Sequence, residues 1–229
     1  MTAEQNTVLL EYQDGHLQLR NIAQSRWQPV WIDFNAVDLT RRRIAHQLYQ
    51  EFLVRAVGAK PNQSLRVVDV TAGFGEDGFL LASAGCRVTL LERSPVMFAL
   101  LQDGLKRAQQ QPLLADIIQR MDLCSGDARD WLVHCRDQID VIYLDPMFPE
   151  RKKSALVKKE MRLLNQLVGT DEDAGQLLTI ALQCAHRRVV VKRPAGAPYL
   201  NDMAPQGAVV GKRCRYDLYA PQRGSARVD

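Results

Sequence analysis

The segment Tyr143-Leu144-Asp145-Pro146-Met147-Phe148-Pro149 ends an apolar run with a carboxylate, a proline, an aromatic ring and a second proline. Those residue types in that order suit the handling of an amino group on a nucleobase. An exocyclic amine is a poor nucleophile because its lone pair is delocalised into the ring. Acceptors that hold its hydrogens turn the lone pair outward, while an aromatic side chain stacks on the base. Asp145 and the carbonyl of Pro146 supply the acceptors and Phe148 the ring, and these three are the predicted catalytic residues. The prolines stiffen the loop and remove competing N–H donors. Asp145 need not be a strong base, since an ammonium product loses its proton readily. The plainer alternative is a proline-rich turn after a strand.

A second constellation lies upstream, where the apolar run Leu65–Val70 leads into Thr71-Ala72-Gly73-Phe74-Gly75-Glu76-Asp77-Gly78. Gly73, Gly75 and Gly78 match G-x-G-x-x-G at a strand-to-helix turn, and Glu92 follows Gly73 by 19 residues, where an acid takes ribose hydroxyls. A dinucleotide would set its pyrophosphate on the helix N-terminus. Glu76 and Asp77 occupy that turn, with Asp69 just before it, and carboxylates repel a diphosphate. Arg93, beside Glu92, would suit NADP, but the same carboxylates stand against it. S-adenosylmethionine has no phosphate and carries a sulfonium and an ammonium that carboxylates attract. The loop therefore fits a methyl donor, with S-adenosylhomocysteine as product. Asp127, in Ser125-Gly126-Asp127-Ala128, can accept from an adenine amine or serve only as a helix N-cap.

These residues need a scaffold that gathers strand ends. Strands are predicted over Leu65–Val70, Arg87–Leu91, Met121–Cys124, Ile139–Leu144 and Arg188–Lys192, and a closing hairpin over Ala208–Gly211 and Tyr216–Tyr219. Helical stretches fall around Gly78–Ala84, Pro95–Gln109, Ala128–Cys135, Ala155–Val168 and Glu172–Ala185. Apolar strands alternating with helices predict an α/β fold whose mainly parallel sheet is covered on both faces, with ligands at the carboxyl ends of its strands. Residues 1–60 read as a small β-rich cap with a connecting helix, and residues 61–229 as the main domain. In the cap, Asp14-Gly15 turns a hairpin between Val8–Leu10 and Leu17–Leu19, Val30–Phe34 is a third strand, and Arg43–Val57 is a helix stopped by Gly58.

Charge divides the chain. Residues 1–150 carry 15 basic and 19 acidic side chains, and residues 151–229 carry 15 basic and 7 acidic. A basic portion of that kind suits a polyanion such as nucleic acid, or is a solvated face without a partner. Lys152, Lys153, Lys158, Lys159, Arg162, Lys192 and Arg193 are the predicted phosphate contacts, with Arg41, Arg42 and Arg43 as a second patch. The five cysteines are scattered and never spaced C-x-x-C, and four isolated histidines form no H-E-x-x-H. A reduced cytoplasmic protein without a metal is expected. No apolar run is long enough to span a bilayer, and no signal segment is visible at the start.

Several strings in order resemble one family. Asp145-Pro146-Met147-Phe148 is similar to the Asp/Asn-Pro-Pro-aromatic motif of amino-group methyltransferases, with Met147 at the second proline. The loop from Asp69 to Asp77, Leu91-Glu92-Arg93, Tyr143–Pro149, Lys152–Arg162, Val189–Pro194 and Arg215–Tyr219 together resemble the bacterial small-subunit ribosomal RNA guanine-N2 methyltransferases of the J type. The resemblance runs from about residue 65 to 220. It implies a seven-stranded Rossmann-like class I methyltransferase sheet, S-adenosylmethionine as donor, and N2-methylguanosine in 16S ribosomal RNA or the small subunit as product. It also implies donor contacts at Glu76, Asp77, Glu92, Arg93, Asp127, Ala128 and Asp145, alongside Asp69, Gly73 and Gly75 of the loop. The four-residue motif alone does not separate guanine N2 from adenine N6 or cytosine N4. A non-catalytic RNA-binding ribosome-assembly factor would need neither Asp145 nor the glycine loop.

Overall fold

The computed structural model describes residues 8–22, 28–43, 45–135, 137–147 and 173–222. At the amino end, β1 (Val8–Gln13) and β2 (His16–Asn21) form the expected antiparallel hairpin. Asp14 and Gly15, with φ of 51° and 81°, make its two-residue turn, a conformation this pair tolerates and most residues do not.

The main sheet has seven strands. β3 (Arg66–Asp69), β4 (Arg87–Glu92), β5 (Met121–Ser125), β6 (Ile139–Leu144) and β7 (Ala185–Pro194) are parallel. β8 (Gly207–Val210) and β9 (Cys214–Tyr219) close it antiparallel, in the order β5-β4-β3-β6-β7-β9-β8. This is the class I methyltransferase sheet that the resemblance implies. Alternation along the strands sorts their side chains onto two faces. Val67, Val88, Leu90, Val141, Tyr143 and Val190 face one core. Val68, Leu91, Ile142, Leu144, Val189 and Val191 face the other. Each such burial contributes about 1.5–3 kcal/mol, and both faces must be covered by helices.

On the first face lie α1 (Val37–Arg42), α2 (Ala45–Leu48), α3 (Phe52–Val57), α4 (Glu76–Ser83), α5 (Pro95–Gln109) and α6 (Pro112–Ile118). On the second lie α7 (Ala128–His134) and α8 (Ala174–Cys184). The structure differs from expectation in the cap. The single helix predicted over Arg43–Val57 is broken into short pieces: Glu51 takes extended backbone before α3, and its carboxylate accepts from Arg42. Gly58 ends α3 in left-handed conformation, as expected. Val30–Phe34 is not a strand beyond one bridge from Val30 to Leu19. Ile32 and Phe34 instead turn into the core shared with α4 and α5, where Ile32 packs against Gly104. Helix α6, opened by Pro112, was not anticipated. The helix predicted over Ala155–Val168 and the first residue of that over Glu172–Ala185 lie outside the described residues.

Candidate active site

The carboxyl ends of β3, β4 and β6 meet at one cavity of about 690 Å3. Backbone bonds strap these ends together. The N–H of Val70 donates to the carbonyl of Tyr143, that of Ala72 to Leu91, and that of Gly126 to Glu92. Gly73 and Gly75 have φ of 52° and 72°, so the turn into α4 requires residues free of a Cβ penalty. At Gly75 a Cβ would also lie 2.7 Å from Leu101 Cδ1. At Gly78 it would run into Leu90, so this glycine lets α4 lie close on β4.

Asp69 is buried at the end of β3, and its Oδ1 accepts from the N–H of Thr71 at 3.1 Å. Burial pushes its carboxyl up to about 8, against the opposing pull of the Thr71 N–H. Asp69 therefore carries a proton at neutral pH, and the loop's expected triple negative charge rests on Glu76 and Asp77. Glu76 is exposed at the mouth, while Asp77 points inward in the first turn of α4. Asp77 Oδ2 accepts from the Tyr143 hydroxyl at 2.6 Å and from Lys192 Nζ at 2.8 Å. Burial opposes ionisation of Asp77, but the Lys192 ammonium and these two bonds outweigh it and hold the carboxyl below its ordinary range.

Glu92 is buried at the end of β4, and its two oxygens accept from the N–H groups of Gly73 (3.0 Å) and Ser94 (2.7 Å). The glutamate thus shapes the glycine loop besides lining the cavity. At the other end, Asp127 caps α7, accepting from the Arg129 N–H at 2.8 Å, and pairs with the Arg129 guanidinium. Ala128 behind it is buried. Arg129 and Arg93 both reach Asp173, at 3.1 and 3.2 Å. Arg93 is therefore an exposed ion-pair partner at the rim.

Asp145 leaves β6 with its N–H donating to Thr71 Oγ1 at 2.7 Å and its Oδ2 accepting from Lys192 at 2.8 Å. Pro146 follows and also lines the cavity. Phe148, Lys152, Lys153, Lys158, Lys159 and Arg162 lie outside the described residues.

Two of the predicted phosphate contacts are corrected by the structure. Lys192 points into the cavity between two carboxylates instead of outward to a phosphate backbone. Arg193 is buried, its guanidinium donating to the carbonyl of Pro198, which turns its head away from a phosphate backbone. Others in the basic portion also have internal partners: Arg187 pairs with Asp140, Arg188 donates to the Ala56 carbonyl, and Arg215 pairs with buried Asp217. In the second patch Arg41 is exposed, Arg42 is held by Glu51 at 3.4 Å, and Arg43 is half-buried with a buried Nε that has no hydrogen-bond partner.

The sequence reading missed three contributors. Tyr143 looked like a core strand residue, yet its hydroxyl reaches Asp77. Lys192 was grouped with surface cations, although a lysine ending the apolar run Val189–Val191 stands where parallel strands present ligands. Pro29–Phe34 and Leu39 form a wall of the cavity, with Trp31 still 43% exposed. That wall carries no local motif.

The cavity suits a cationic methyl donor. One ammonium, Lys192, faces the carboxylates of Asp77 and Asp145, which leaves an excess of negative charge close to where a sulfonium would be held. The carboxylates at the start of α4 still disfavour a diphosphate. Among the described residues no group of three histidines, cysteines or acids could hold a metal ion, and no described helix is long and apolar enough to cross a membrane.

A family model described as "Putative SAM-dependent methyltransferase" matches residues 1–221. The ribosomal RNA small subunit methyltransferase J of Thioalkalivibrio sulfidiphilus is 51% identical over 216 residues, covering 93% of this chain and 85% of its own. That of Pseudoalteromonas atlantica is 49% identical over 218 residues, with 93% and 84% covered. The crystal structure of a SAM-dependent methyltransferase from Neisseria gonorrhoeae is 30% identical and superposes with a TM-score of 0.77, covering 100% of this chain and 88% of that one.

Proposed function

Because the chain belongs to the SAM-dependent methyltransferase family, and within it to the ribosomal RNA small subunit methyltransferase J proteins, we propose that it methylates the N2 amine of a guanosine in 16S ribosomal RNA. S-adenosylmethionine is the donor. The observation that carries the amine assignment is the junction of the glycine loop and the Asp145-Pro146 segment, joined through the bond from the Asp145 N–H to Thr71 Oγ1. That bond fixes the amine-holding segment against the donor loop. Neither an NAD(P) oxidoreductase nor a pure RNA-binding factor needs such a junction.

S-adenosylmethionine supplies a methyl group made electrophilic by its sulfonium. Glu92, the loop from Asp69 to Asp77, and the rim at Asp127–Ala128 would hold it. Asp145 and the Pro146 carbonyl would accept the hydrogens of the guanine amine, so that its lone pair points toward the methyl group, and Phe148 would stack on the flipped base. The chain's contribution is then mainly positioning. Asp145 would accept hydrogen bonds without needing to remove a proton before transfer. Lys152, Lys153, Lys158, Lys159 and Arg162, with Arg41, would meet RNA phosphates, and the setting would be the cytoplasm, where small subunits are assembled.

The test is direct. Small-subunit RNA and assembled subunits from a strain lacking this protein are incubated with purified protein and methyl-labelled donor, digested to nucleosides, and analysed by mass spectrometry. Labelled N2-methylguanosine is expected. N6-methyladenosine or N4-methylcytidine as the product would overturn the base assignment, and an unlabelled digest would overturn the activity on RNA.

A further inference from the structure

Lys192 occupies an unusual place for a lysine. The pairing of Leu144 with Val191 puts it level with Asp145, on the strand next to the one that ends in the amine-holding segment. Its side chain is only 26% exposed, and Nζ lies 2.8 Å from Asp77 Oδ2 and 2.8 Å from Asp145 Oδ2. An ammonium drawn this far from water is retained only where nearby charge offsets its lost hydration. Two carboxylates provide that charge, and they belong to the two halves of the site: Asp77 to the donor loop, Asp145 to the amine-holding segment.

We propose that Lys192 is a positioning residue for methyl transfer, whose ammonium clamps Asp145 to Asp77 and keeps both carboxylates in the form that accepts hydrogen bonds. The inference rests on the amino-group transfer reading above. Two consequences follow from the geometry. The bond to Oδ2 tethers the Asp145 carboxylate, and the one from the Asp145 N–H to Thr71 holds its backbone, before any base arrives. The charge matters as well. The groups facing this cluster are Asp69 from β3, Asp77 from α4, Tyr143 and Asp145 at the end of β6, Tyr216 from β9 and Arg42 from α1. Without Lys192, Asp77 and Asp145 would stand together beside buried Asp69, and neighbouring like charges resist joint ionisation. A proton taken up by the pair would put an O–H donor where the amine requires an acceptor. Burial alone would favour the neutral amine of Lys192, but Asp145 and Asp77 outweigh it and hold the lysine charged far above neutrality.

The experiment compares wild type, Lys192→Met and Lys192→Arg. It measures kcat for labelled methyl transfer to small-subunit RNA from pH 6 to 9, S-adenosylhomocysteine affinity by calorimetry, and the thermal melt. Lys192→Met should lose about 100-fold in kcat near pH 7, the scale of one removed electrostatic contact in an active site. The loss should shrink toward pH 9 as the carboxylate pair ionises. Lys192→Arg should recover most of the rate and the wild-type profile, because a guanidinium can bridge the same two oxygens. Wild-type kcat in Lys192→Met would overturn the proposal. So would a loss with an unshifted pH profile that arginine does not repair, which would make the lysine merely structural. If Lys192→Met does not fold, the arginine variant decides: a wild-type melt with a 100-fold loss and an unshifted profile would also overturn the clamp. Nucleosides from the same digests are identified by mass spectrometry. A methyl group on another base would sink the guanine assignment while the ratio of the variants still judged the lysine.

Discussion

The hydroxyl of Tyr143 donates to Asp77 Oδ2 at 2.6 Å, so a fully buried strand residue holds an acid at the end of the glycine loop in place. Tyr143→Phe removes that donor and keeps the ring. A buried hydrogen bond to a charged group is worth roughly 1.5–3 kcal/mol, and urea unfolding should show a loss of that size. Donor affinity should weaken several-fold in the same variant. Unchanged stability and affinity would mean that Lys192 alone orients Asp77.

Asp69 links stability to pH. Its carboxyl is pushed up to about 8 in the folded chain, against about 3.8 unfolded. Between those values the folded state binds the extra proton, so the Asp69 contribution to stability falls as pH rises from about 4 to about 8, by up to about 1.4 kcal/mol per pH unit. Asp69→Asn removes this dependence. The urea stability of the variant should gain on wild type as the buffer is moved from pH 5 to pH 8, and parallel curves across that range would show that Asp69 is not the group responsible.

Gly78→Ala should be costly for a packing reason. The added methyl meets Leu90 and lies 3.5 Å from Val88 Cγ1, so α4 must move off β4 or Leu90 must change rotamer. Overpacking of this kind costs about 1–3 kcal/mol. Because α4 carries Asp77 in its first turn, the donor KM should rise with the lost stability. A neutral substitution in both measurements would show that the helix has room the contact distances deny.

RNA affinity should depend on salt through the lysines between Arg151 and Glu160 of the sequence. Changing Lys152, Lys153, Lys158 and Lys159 to Gln should flatten the log–log dependence of affinity on salt by about 0.7–0.9 per lost phosphate contact. Arg193→Gln should leave that slope unchanged while lowering the melting temperature, since its guanidinium serves the Pro198 carbonyl. A quadruple variant with wild-type slope would move the RNA contact toward Arg41.

Much of this site was legible in local sequence because its parts sit at strand ends. The glycine loop, Glu92, Asp127 and Asp145 each follow an apolar run, and the sheet order brings the ends together without further information. Lys192 and Arg193 were misread because composition records only that a cation is present. Whether its head reaches water depends on which strand lies alongside, and β6 beside β7 is a long-range pairing. The periodicity from Ile44 to Val57 is helical and gives no sign of the break at Glu51, where the N–H groups of Gln50 and Glu51 turn back to the carbonyls of Gln47 and Leu48.

The wall made by Pro29–Phe34 has a consequence for how the chain is made. Ile32 offers its carbonyl to the Arg107 guanidinium, and the N–H of Leu17 donates to Asp103, partners 75 and 86 residues further along. Emerging from the ribosome before α5, this segment can form its bridge to Leu19 but lacks its Arg107 partner until α5 has been synthesised. The entropy of closing such long loops is lost before any contact repays it. One side of the cavity is thus laid down before the glycine loop, β4 and α5, and completed only once they exist. Nascent chains halted before α5 has emerged should expose Ile32 and Phe34 to chaperones, whereas chains in which α5 is free of the ribosome should bury both.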